Sequence, residues 1–172
     1  AAARNHYAQL VIEAPDAEPD YAAWRASLGL NDPDMAAYAP WLTAADGSLI
    51  APGAAIAGVI ARTDRNTGVW QAPAGTRATL DGFSSRTISE DQLQVMNMAQ
   101  INPIRPLQGA ATVWGARTLS DDPQWLYIAP RRLVRWTEAS LEQGLIWTVF
   151  EPNAAPLWQA VIREVTAFMS DL

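Results

Sequence analysis

The chain has 172 residues, 49% of them apolar and only 17% charged, a balance that builds a buried core and excludes a disordered chain. Its formal charge is −6, all twelve positive charges are arginine, and it contains no cysteine. This excludes disulfides, thiol nucleophiles, thiolate metal sites and lysine chemistry such as Schiff bases or a P-loop. No basic run is longer than Arg131–Arg132, so a nucleic-acid partner would find no basic face, and no apolar stretch nears the ~20 residues of a membrane span.

In chain order, the start AAARNHYA has no Met and reads as the beginning of a fragment or a processed product. Tyr7–Ala14 is a short apolar run that predicts a buried strand, stopped by Pro15. Pro19–Leu30 predicts a helix with Tyr21, Trp24 and Leu28 on one face. Ala36–Leu42 predicts a strand with Pro40 at a bulge or edge. Ala44–Pro52 is a loop turning at Asp46–Gly47. The small residues of Ala54–Ala61 favour a closely packed helix, and Thr63–Thr79 predicts a long loop.

Leu80–Ile88 has room for a strand, and Ser89 with Gln92 forms a capping box that starts a helix carrying Leu93, Met96 and Met98. Ile101–Arg105 and Thr112–Thr118 predict extended segments, followed by a turn at Ser120–Pro123. Trp125–Ala129 predicts a strand, Pro130–Gln143 a helix ending at Gly144, and Leu145–Phe150 a central strand buried on both faces. Asn153 is placed to cap a last helix with Leu157, Val161, Val165, Phe168 and Leu172 along one side. Strands and helices mix throughout, so the fold class is α/β or α+β, a mixed sheet flanked by helices.

Candidate chemistry is sparse. His6 is the only histidine, so a Ser-His-Asp triad would have to use it, and no G-x-S-x-G elbow exists. Asp32/Asp34 and Asp121/Asp122 match no calcium-loop spacing and read as turn caps. Glu138 and Glu142 lie four apart on one helix and read as a solvated stripe. Glu151 reads as an acceptor for an arginine or for backbone amides of the next helix. Of the eight Trp, most lie in apolar segments and read as core or interface. Trp70, in a Gly/Pro loop, is expected to be the most exposed. No catalytic, cofactor or metal site is expected, and elimination points to a structural or assembly role.

Several motifs in order carry a resemblance. They are Pro52–Asp64 (PGAAIAGVIARTD), Gly68–Ala74 (GVWQAPA), Ile101–Arg105 (INPIR) and Val113–Leu119 (VWGARTL). Trp125, Tyr127 and Arg131–Arg132 follow, then Trp147–Asn153 (WTVFEPN) with Leu157–Trp158. Together these resemble contractile phage tail sheath proteins over about residues 36–170. The resemblance implies subunits stacked as hexameric rings around an inner tail tube, bounded by baseplate and terminator proteins. Contraction of such rings drives the tube through a target envelope, with no enzyme activity and no cofactor.

The location so implied is the virion tail, assembled in the host bacterial cytoplasm. Residues 1–172 are expected to be a single sheath core domain without the amino-terminal arm or the carboxy-terminal region and linking arm. Alone, that piece is expected as a monomer. Trp70, Trp114, Arg117, Arg132 and Glu151 stand out as structural motif positions, the last four expected to hold the core together. The alternative is a carbohydrate- or receptor-binding decoration domain of a virion, which would present Trp side chains on one exposed face.

Overall fold

The computed structural model describes residues 10–14 and 20–172. Expectations for Tyr7–Gln9 and Pro15–Pro19, and for His6, lie outside the described residues. The described chain falls into two compact units, one up to residue 133 and one over 134–172.

The first unit is built on a five-stranded mixed sheet in the order β1-β2-β7-β8-β5. β1 (Leu10–Glu13) and β7 (Ile101–Leu107) flank β2 (Met35–Ala39) and run parallel to it, with Ala37 facing Ile101 across the ladder. β8 (Ala110–Val113) returns antiparallel to β7, and β5 (Thr79–Leu80) closes the far edge against β8. The β7–β8 turn is Gln108–Gly109, with φ of 51° and 87°, the paired positive φ that a two-residue hairpin needs to match strand twist. A second, antiparallel sheet holds β3 (Leu42–Thr43) between β4 (Leu49–Ile50) and β6 (Ser84–Ser85).

β2 shows why the sheet is covered on both faces. Ala36 and Tyr38 point into one core with Ile56 and Val59 of α2 (Gly53–Asn66) and with Ile104, Val113 and Ile128. Ala37 and Ala39 point into the other, with Tyr21 of α1 (Tyr21–Ser27) and Leu93 and Met96 of α3 (Glu90–Met98). Successive side chains of a strand alternate faces, and a strand buried on both sides carries apolar residues at every position. The starts of α3 and α2 have different causes, one local and one distant in sequence. Ser89 and Gln92 make the capping box expected for α3, and Glu13, at the end of β1, accepts from the Gly53 amide at 3.1 Å, satisfying one orphan donor of α2.

Three expectations for this stretch are corrected. α2 runs on to Asn66, so the loop expected from Thr63 begins only at Thr67. The strand expected over Thr112–Thr118 stops at Val113, where the chain leaves the ladder to meet Asn102. Trp125–Ala129 is not a strand: Asp122 caps a 3-10 turn at Pro123–Trp125, and α4 (Ile128–Gly144) starts after Leu126 and Tyr127. Only the single bridge Arg117–Tyr127 remains of the pairing.

In the second unit, Leu145–Phe150 is likewise not a buried strand. It is a 3-10 turn over Ile146–Phe150, with Phe150 97% exposed. No strand of that unit lies among the described residues, so the backbone turns to local bonds, such as the Thr148 amide to the Leu145 carbonyl at 3.0 Å. α5 (Ala155–Ser170) carries Leu157, Val161, Val165 and Phe168 half-buried along one side as expected, whereas Leu172 lies beyond the helix and is exposed. Its N-cap, however, is Ala154. Asn153 instead accepts from Trp158 Nε1 at 2.7 Å. The ring of Phe168 meets that of Trp136 at 5.7 Å.

Candidate assembly and anchoring site

The arginines divide by what they touch. Arg132, in the first turns of α4, is buried, and its Nη1 and Nη2 donate to Asp64 Oδ1 and Oδ2 of α2 at 2.8 and 2.6 Å. Beside it Arg131 grips Asp34, at the approach to β2, by the same fork at 2.7 and 2.8 Å, and its guanidinium lies 5.1 Å from the Trp125 ring. Planar guanidinium and carboxylate groups match in a two-bond fork, which fixes geometry as well as charge. Adjacent arginines thus tie one helix to two separate elements.

Tyr38 lies fully buried within reach of the Arg132 charge. Burial pushes its phenol well above the ordinary tyrosine range, and the arginine opposes that shift only in part. Arg25 of α1 works through carbonyls: it donates to Leu30 O, Leu119 O and the Gln100 side chain at 2.7–3.0 Å.

The VWGARTL segment is fixed by a residue that sequence reasoning did not single out. Asn102, 1% exposed, donates from Nδ2 to Ala37 O (3.0 Å) and Arg117 O (2.8 Å) and accepts from the Arg117 amide (2.7 Å). A polar residue between the isoleucines of INPIR, on a strand buried on both faces, was the available signal. The Arg117 backbone is therefore part of the core, while its guanidinium reaches outward, 5.7 Å from the Tyr127 ring and donating to Asn97 O at 3.3 Å. Trp114 is 43% exposed beneath Arg105, whose guanidinium lies 5.7 Å from the ring and 3.3 Å from Glu90.

Trp70 is 54% exposed, and its ring lies directly over Gly68, where a β-carbon would come within 2.4 Å of it. Trp158, at 56%, exceeds it, so Trp70 is not the most exposed; Trp114 and Trp147 are exposed as well, and the other four tryptophans are half-buried rather than core. Glu151 is exposed, in the second unit. Among the described residues no cluster of His, Cys, Asp and Glu could hold a metal, and no helix is long and apolar enough to cross a membrane.

No family model matches the chain, and no curated protein does. Solved structures do. A chain of an extracellular contractile injection system, the PVC sheath complex in its contracted state, is 33% identical with a TM-score of 0.85, over 94% of this chain and 47% of that one. A chain of the anti-feeding prophage baseplate is 31% identical with a TM-score of 0.84, over 100% of this chain and 47% of that one. The chain belongs with the contractile sheath proteins.

A sheath tail protein from Desulfitobacterium hafniense shares the fold alone, at 17% identity and a TM-score of 0.67 over 95% of this chain and 37% of that one. The sheath chain described here thus spans about half the length of the solved chains it matches. Its mixed α/β fold is that of sheath proteins. The arginine forks, the Asn102 knot and the capped helices lie within the part shared with them.

Proposed function

We propose that this chain is the structural core of a contractile sheath subunit. In that reading, full-length subunits polymerise as stacked hexameric rings around an inner tube, meet baseplate and terminator proteins at the ends, and contract to drive the tube through a target envelope. The subunit works as part of a phage-tail-like particle and performs no catalysis. One observation carries this reading: sequence likeness above 30% and a TM-score of 0.84 hold together along the whole chain against a contractile-particle structure. The physical features agree with it. Arginine rather than lysine supplies every cation, and its planar fork suits carboxylate pairing at interfaces.

Within the subunit, Arg132 is assigned to holding the core and Trp70 to the surface. The carboxy-terminal unit, with a single buried residue, Ala139, among its described positions, is assigned to packing against further sheath polypeptide. The experiment is electron microscopy of the full-length gene product expressed alone. Hollow tubes with a regular helical repeat are expected. Dispersed protein that also fails to polymerise on a purified tube would end the reading.

A further inference from the structure

Trp114, Arg105, Arg117 and Tyr127 make one continuous patch on the first unit. Trp114 and Tyr127 are 43% and 50% exposed, and each carries a guanidinium 5.7 Å from its ring. Asn97 joins the two halves. Its carbonyl accepts from Arg117, and it lines, with Trp114 and Gly115, a cleft of about 480 Å³. The patch is held from beneath, because Asn102 fixes the Arg117 backbone and the Arg117–Tyr127 bridge fixes the backbone that carries the Tyr127 ring. Aromatic and arginine side chains are the residues that dominate protein interfaces.

The two guanidiniums also differ from their neighbours. Arg131 and Arg132 are each held by a two-bond carboxylate fork. Arg117 has no carboxylate partner among the described residues, and Arg105 has only Glu90, which is 81% exposed. A ligand carrying carboxylates would complete both.

We propose that this patch docks an acidic surface segment of a second copy of the same chain. The proposal rests on the sheath reading and adds the contact surface to it. Charge complementarity selects the occupant: acidic residues outnumber arginines by 18 to 12 in every copy, so each copy carries carboxylates that its own arginines do not neutralise. Cations that seek carboxylates take a different, acidic face of the next copy. The contact is therefore heterologous, one face of a copy against a different face of the next, the kind that closes into rings or continues as a helix.

The test is polymer formation by the full-length gene product, followed by sedimentation and electron microscopy, for wild type, Arg117→Glu, Arg117→Lys and Trp114→Ser, with a thermal melt of each. Folded Arg117→Glu and Trp114→Ser should need at least about tenfold more protein to polymerise. Arg117→Lys, which keeps the charge and loses the planar stack, should fall between them and wild type. Both variants polymerising at the wild-type concentration overturn the proposal and leave the sheath reading standing. Should Arg117→Glu not fold, Trp114→Ser decides, since it leaves the charges in place. Wild type that polymerises equally well from about 0.05 to 0.5 M salt also overturns it, because exposed charge contacts are screened over that range. Wild type that never polymerises overturns the sheath reading and this proposal together.

Discussion

Asn102 and Gly115 are in contact so close that a β-carbon on Gly115 would lie 2.8 Å from both Asn102 Cα and Asn102 Oδ1. One of those atoms is backbone in a strand paired on both sides, so it cannot retreat. Gly115→Ala therefore forces the VWGARTL segment off the sheet and disturbs the three hydrogen bonds through which Asn102 holds it. Overpacking of this kind costs about 1–3 kcal/mol. A fall in Tm of roughly 3–10 °C is expected for a chain of this size, read by thermal melting followed by circular dichroism. An unchanged melt would mean that the segment is not held as described.

The fork between Arg132 and Asp64 predicts an asymmetry among salt bridges. Arg132 is 2% exposed, so Asp64→Ala leaves a buried guanidinium without its counter-charge. Breaking one side of a buried pair costs about 3–5 kcal/mol. Asp81→Ala breaks the pair with Arg62, in which the aspartate is 77% exposed, and is expected to cost under about 1 kcal/mol. Urea unfolding of both variants measures the ratio; equal losses would contradict the burial of Arg132.

Tyr38 gives a pH dependence with a definite sign. Burial raises its phenol above the ordinary tyrosine value in the folded state. The folded chain then holds a proton that the unfolded chain gives up from about pH 10. Because the native state binds more protons there, stability falls as pH rises above that value and is unaffected below it. Tyr38→Phe should flatten the decline of the urea midpoint above pH 10 relative to wild type. A parallel decline in both proteins would place the titration elsewhere.

What the sequence revealed and what it concealed follow from the range of the interactions. Ser89 and Gln92 are three residues apart, and the capping box they form is written in the chain. The β7–β8 hairpin was hidden because its turn is Gln108–Gly109, with a residue that does not advertise a positive φ. Arg132 stood out in the sequence, but Asp64, 68 residues earlier, did not; nothing local distinguishes it from a solvated aspartate at a helix end. Asn102 was passed over within an apolar strand for the same reason, since its partners lie 65 and 15 residues away. At Trp125–Ala129 apolar character suggested a strand, and the Asp122 cap with Pro123 turned it into helix.

Leu145–Phe150 is the sharpest case, because its six apolar or β-branched residues have strand composition and none of the surroundings of a strand. Ile146, Val149 and Phe150 are 72%, 67% and 97% exposed, so truncating them removes almost no buried area from this chain. Phe150→Ser in the 172-residue chain should therefore melt within about 0.5 kcal/mol of wild type. Trp136→Ala removes a ring packed on Phe168 and should cost at least about 1 kcal/mol. If the sheath reading holds, the same Phe150→Ser change in the full-length protein should be severe, because an apolar run this exposed marks a surface that the assembled protein covers. Parallel melts of the two lengths decide it. A large loss already in the 172-residue chain would mean that the run is buried as a strand, while no loss at either length would leave Phe150 a bare surface residue.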